Sequence, residues 1–112
     1  MKAAKSRNEL LPGTLEMLIL KTLSIEPMHG YGIAHHIQML SADVLTIEEG
    51  SLYPALQRLE KQGWITADWG ASENNRRARF YRLTRAGQKR LAHEEAAWER
   101  LSSGIGLVLK KA

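Results

Sequence analysis

Three groups of side chains in this sequence have the types and spacing to do chemistry. Gln57, Arg58 and Lys61 fall within one helical turn, with Ser51 and Tyr53 one turn earlier. An amide can pair with the edge of adenine, and an ammonium or guanidinium with a phosphate. On one face of a helix this set is suited to reading nucleic acid; the same set also makes the ordinary solvated side of an amphipathic helix. Tyr53 can equally pack beside the core, and Arg58 can equally form a surface ion pair. The second group is a block of one sign: Arg76, Arg77, Arg79, Arg82, Arg85, Lys89 and Arg90, with no acid among them. Such a block suits a polyanion or a solvated face. Arg76 and Arg77 fit phosphates or a narrow minor groove, and Arg79 is a weaker phosphate candidate. Arg82, Arg85, Lys89 and Arg90 suit solvent, or pairing with Glu94 and Glu95 across a helix.

The third group is His29, His35, His36 and His93. A metal centre needs ligands that converge, commonly two histidines at i, i+4. His35 and His36 are adjacent and face different sides of a helix, so no metal site is expected. There is also no phosphate-cradling glycine loop, no His-Glu-x-x-His and no nucleophile elbow. The carboxylates are scattered with no matched acid and base. No catalytic residue and no cofactor is expected.

The chain has 112 residues, no cysteine, and 16 Lys+Arg against 12 Asp+Glu, a net charge of +4. That length suits one domain of modest core. The lack of cysteine excludes a disulfide scaffold and a Cys-ligated zinc module, and fits a reducing cytoplasm. No run of about 18 apolar residues suggests a membrane span. The start, Met1 to Arg7, is basic, but no unbroken apolar segment follows it, so no signal peptide is expected. The charge is unevenly placed: before Lys61 the acids outnumber the bases, and the basic block lies beyond.

Hydrophobic spacing then gives the elements that must position these groups. Leu15, Leu18, Ile19, Thr22 and Leu23 predict a first helix after Gly13 with Thr14 as N-cap; Met17 and Leu20 make it apolar on more than one side. Glu26 to Gly30 ends it. Ile33, Ala34, Ile37 and Leu40 predict a second helix over Tyr31 to Leu40, with Tyr31 expected as a core tyrosine. Leu52, Ala55, Leu56 and Leu59 form the buried stripe of a third helix that Gly63 ends. Pro54 must lie in its first turn, so the helix begins near Glu49 to Ser51. Gly50, Pro54, Gln57 and Lys61 face outward. Ile65, Ala67 and Trp69 share one side of a strand, Gly70 to Asn75 form a turn, and Arg79 to Leu83 return.

Thr84 caps a long last helix to about Lys110. Within it, Leu91, Trp98, Leu101, Ile105 and Val108 follow a heptad-like seam broken once at Glu94. Such a seam expects a partner helix from a second copy, the alternative being a helix folded back on its own domain. Gly104 and Gly106 weaken its end by about 1 kcal/mol each relative to alanine. Trp98 anchors the seam; a sharper role is that two symmetry-related copies bracket a flat ligand.

Three short helices, a hairpin and a long helix form the order of a winged helix. The fold expected is mainly α (α+β): a winged helix-turn-helix with a two-stranded wing. Residues 1–83 form the DNA-binding domain with a basic N-terminal arm, and residues 84–112 the C-terminal dimerisation helix. The third helix has the width of the major groove and the hairpin is the wing. A winged helix serving as a protein–protein adaptor is the competing class.

Four motifs add a resemblance. Leu11-Pro-Gly-Thr-Leu-Glu-Met-Leu-Ile-Leu, His29-Gly-Tyr-Gly-Ile, Gly50-Ser-Leu-Tyr-Pro-Ala-Leu-Gln-Arg-Leu-Glu-Lys-Gln-Gly-Trp-Ile and Tyr81-Arg-Leu-Thr-Arg-Ala-Gly resemble, in order and spacing, the short-tailed branch of the PadR-like transcriptional regulators. The resemblance runs from about Leu11 to Val108. It implies a homodimer held by the C-terminal helix, binding a palindromic double-stranded operator in the cytoplasm and usually repressing. Some relatives release DNA when a small aromatic effector binds near the dimer interface, which makes Trp98 the effector-binding candidate.

Overall fold

Leucine and isoleucine at helical spacing give the first helix, α1 (Thr14–Leu23), two buried sides: Leu15, Ile19, Leu20 and Leu23 all lie in the core. The computed structural model describes residues 13–112, so the basic arm and the first residues of the Leu11 motif lie outside the described residues. Thr14 is not the N-cap. Gly13 takes that place with φ 88°, a left-handed conformation that favours glycine, and its carbonyl accepts from Met17 N–H at 3.1 Å. Buried Thr22 donates to the Leu18 carbonyl at 2.8 Å.

The chain then forms a strand that hydrophobic spacing did not reveal, β1 (Met28–His29). It runs directly into α2 (Gly30–Leu40), whose N-cap is His29: Nδ1 accepts from Gly32 N–H at 3.0 Å. Ile33 and Ile37 are buried as expected, but Leu40 is exposed at the end of the helix. Tyr31 corrects the expectation of a core tyrosine. It is 74% exposed and stacks on His35, with ring centroids 5.9 Å apart.

The third helix, α3 (Glu49–Lys61), buries Leu52, Ala55, Leu56 and Leu59 and leaves Gly50, Pro54, Gln57 and Lys61 outward. Pro54 corrects the expectation of a first-turn proline: it is the sixth residue of α3, inside the helix, and its missing N–H leaves the Gly50 carbonyl, at an exposed position, without a helical donor. Gly63, at φ 79°, ends it in a double-bonded C-cap: Gly63 N–H donates to the Glu60 carbonyl at 3.0 Å and Trp64 N–H to the Leu59 carbonyl at 3.1 Å.

The hairpin is β2 (Ile65–Ala71) and β3 (Arg77–Leu83), with Ile65 opposite Leu83 and Ala71 opposite Arg77. With β1 on the other edge of β3 the sheet is antiparallel, in the order β1-β3-β2. The strands run further than expected, so the loop shrinks to Glu73-Asn74-Asn75, closed by Ser72 N–H donating to the Arg76 carbonyl at 2.9 Å. Asn75 is left-handed (φ 61°), as a three-residue hairpin loop demands of its last residue.

Thr84 does cap the last helix, α4 (Arg85–Lys111): its Oγ1 accepts from Gly87 N–H at 3.0 Å. The first half of α4 lies on its own domain. Leu91 is buried in the core cluster, and Lys21 of α1 pairs with Glu95 at 3.0 Å. Leu91 thus sits apart from the rest of the expected seam, because its own core encloses it. Beyond it, Trp98, Leu101, Ile105 and Val108 are all exposed, as are Leu107 and Leu109. No described helix is long and apolar enough to cross a membrane.

Candidate nucleic-acid interface

The outward face of α3 and one face of the wing enclose a cleft of about 730 Å³. Side chains alternate across a strand, so Ala67, Trp69 and Ala71 share a face with their register partners Tyr81, Arg79 and Arg77. That face is layered by cations and rings. The Arg77 guanidinium stands 4.5 Å from the Trp69 ring centre, and Arg79 lies between Trp69 (6.0 Å) and Tyr81 (5.8 Å). Exposed pairs of this kind contribute about 0.5–1 kcal/mol and fix the direction of a guanidinium.

From the opposite wall, Tyr53 and Gln57 of α3 line the same cleft. Tyr53 is 41% exposed and reaches toward α2: a methyl group at Gly30 would come within 2.6 Å of its hydroxyl. Gly30 is what lets the tyrosine lie there. The structure therefore brings together five of the expected residues, Tyr53, Gln57, Arg76, Arg77 and Arg79, and adds Tyr31, Trp69, Tyr81 and His29. The His29-Gly-Tyr-Gly motif carried the signal for two of these. The others become visible only once hairpin register is known. Ser51, Arg58 and Lys61 are exposed on α3 but do not line the cleft.

Ion pairing sorts the cations further. Arg58 Nε donates to Glu16 of α1 at 2.6 Å, so the ion-pair alternative is the one realised. Arg79 bonds Glu60 of α3 at 3.0 Å, which ties the wing to that helix. Arg90 pairs with Glu94, and Arg82 lies 3.8 Å from Asp68. Among the described residues, no ion pair engages Arg76, Arg77 or Lys61. Two groups carry shifted acidities. The Glu73 carboxyl in the wing loop is held below its usual range, first by a hydrogen bond from its own backbone and then by His29. Burial pushes the Tyr81 hydroxyl up. No group of three or more His, Asp or Glu residues among the described residues is arranged to hold a metal ion.

A sheet-edged hairpin beside a helix with a polar outer face is the winged-helix arrangement, and it is shared with known proteins. The model of the PadR-like family of transcriptional regulators matches residues 19–93. The fold is similar to a transcriptional regulator from Clostridium thermocellum (TM-score 0.77, 32% identity, 84% of this chain and 91% of that one). It is also similar to a PadR family transcriptional regulator from Eggerthella lenta (TM-score 0.73, 35% identity, 89% and 85%). An uncharacterized protein of Lysinibacillus sphaericus is 28% identical over 104 residues, 93% of this chain and 95% of its own length. The chain belongs to the PadR-like family of transcriptional regulators.

Proposed function

We propose that this regulator binds a palindromic DNA operator as a homodimer in the cytoplasm and represses the gene it controls. The observation that carries the reading is the cleft shared by α3 and the wing, where Gln57 faces Arg76 and Arg77 with no carboxylate paired to either arginine among the described residues. In this reading α3 enters the major groove. Gln57 pairs with a base edge, Lys61 and Ser51 meet phosphates, and the wing arginines take phosphate or the minor groove. Arg58 and Arg79 contribute less, because Glu16 and Glu60 already neutralise them.

The exposed apolar half of α4 supports the second copy. Trp98, Leu101, Ile105 and Val108 are each between 44% and 64% exposed in one chain. An apolar stripe of this kind is stable when a partner helix covers it. Residues 1–83 then act as the DNA-binding unit and residues 84–112 as the joint. The joint must hold the two recognition helices about 34 Å apart, one turn of DNA. A flat aromatic effector held between the two Trp98 rings would release DNA only by preferring a dimer in which that spacing is wrong.

Binding of the Gln57→Ala and Arg76→Ala variants to duplex DNA tests the reading. Gln57→Ala relaxes preference at one base and leaves non-specific binding intact. Arg76→Ala weakens all sequences alike and lowers the salt slope by about one contact per protomer. Unchanged binding in both removes the residue assignment. A folded protein with no salt-dependent affinity for DNA is instead a protein–protein adaptor.

A further inference from the structure

His29 stands where three elements meet. It is a residue of β1, paired with Phe80 of β3, and its ring packs edge-on against the Phe80 ring at 5.2 Å. Its Nδ1 caps α2 by accepting from Gly32 N–H. With Nδ1 engaged as an acceptor, the ring carries its proton on Nε2. Nε2 is turned toward the wing loop, where Glu73 Oε1 lies 3.7 Å away. That is within ion-pair reach and longer than a hydrogen bond.

The two partners are unequal. The His29 side chain is 18% exposed and held by the fold on both sides; Glu73 is 82% exposed on a three-residue loop. Glu73 is also an acid in the wrong place for the function. It lines the cleft beside Arg76 and Arg77, where the proposed phosphates must lie. A carboxylate and a phosphate oxygen use the same donors, so the seat it occupies is one a phosphate can take. From this juxtaposition, and resting on the DNA-binding reading above, we propose that His29 Nε2–H is a phosphate donor of the interface. Glu73 is the intramolecular stand-in that fills its place until DNA displaces it. The loop acid then discriminates against weakly held DNA, because every complex must first break the His29–Glu73 contact.

The test is a double-mutant cycle on the full chain with two probes, a mixed-sequence duplex and inorganic phosphate. Glu73→Gln removes the charge and keeps the shape. His29→Asn keeps an oxygen that can cap α2 and removes the reach of Nε2. Glu73→Gln tightens duplex binding about three- to fivefold, the scale of an exposed ion pair lost to competition. In the His29→Asn background the same change gives no gain. Simple repulsion of DNA by Glu73 would give an equal gain in both backgrounds, and that result overturns the proposal. The His29 ring resonances supply a reading independent of DNA. Phosphate shifts them at lower concentration in Glu73→Gln than in the parent chain. No difference between the two chains sinks the proposal even if duplex binding is strong. A difference in a protein that binds no duplex removes the DNA reading and leaves the anion seat.

Discussion

Replacing Gly87 with alanine separates two effects of opposite sign. Gly87 lies in the first turn of α4, directly over the end of α3. A methyl group there would overlap the Trp64 carbonyl oxygen and lie 2.7 Å from Leu83 Cδ1. The carbonyl cannot step aside freely, because it accepts from Thr84 N–H at 3.1 Å, while Thr84 Oγ1 donates to the neighbouring Gly63 carbonyl at 2.8 Å. Overpacking against such a site costs about 1–3 kcal/mol, and each strained hydrogen bond about 1 kcal/mol more. Against this stands a helix-propensity gain of at most about 1 kcal/mol. The net loss is about 2 kcal/mol, a fall of about 10 °C in Tm for a domain of this size. Gly50→Ala is the contrast: at the start of α3 an added methyl meets nothing within 4 Å, and stability rises by about 0.5 kcal/mol. Thermal unfolding followed by circular dichroism reads both. A Gly87→Ala chain as stable as the parent would refute the close docking of α4 on the α3–β2 junction.

Three further outcomes follow from particular residues. Ala42 is left-handed (φ 52°) in the connection after α2, so Ala42→Gly raises stability by about 0.5–1 kcal/mol in urea titration, whereas a relaxed loop would show a loss. The Tyr81 hydroxyl is a weaker acid than an ordinary tyrosine, its pKa raised above 10.0 chiefly by burial, so its contribution to stability is present below that pH and is lost as pH rises through the folded value. Tyr81→Phe should flatten that alkaline limb of the stability curve, and an unchanged limb would show that another group sets it. Leu101→Glu places a charge in the exposed α4 stripe and should sediment as a monomer with its domain still folded; a persisting dimer places the joint elsewhere.

The parts of this fold that sequence made legible are those carried by local physics. Gly63 marked the end of α3 because it fits the left-handed cap it adopts, whereas Pro54, expected in the first turn, lies inside the helix, since the buried stripe of α3 outweighs one lost backbone bond. Thr84 marked the start of α4 because its hydroxyl can serve the orphan Gly87 N–H. Features that depend on distant partners were not legible. The two-residue strand β1 exists because β3 has an edge to offer. Arg58 is neutralised by Glu16, 42 positions away, and no helical period encodes that pair. Tyr31 is expected in the core as the usual place of a tyrosine, yet it lies beside the cap of α2, where the helix surface is open. Leu91 fits the heptad spacing and the core equally well, and only the packing of α4 on its own domain decides between them. At the candidate site, the α3 residues could be read from spacing, while Trp69, Tyr81 and Glu73 needed the hairpin register that joins them to α3.

The most direct test of the account is the affinity of the full chain for duplex DNA from upstream of its own gene, measured by fluorescence anisotropy as a function of salt. Arg76, Arg77 and Lys61 in each of two protomers give about six phosphate contacts, and thus a log–log slope of about −5 and a loss of about a thousandfold between about 50 and 200 mM salt. Tight, steeply salt-dependent binding to that duplex, weaker on a scrambled one, is the predicted result. A folded protein whose binding is absent, or indifferent to salt, would contradict it.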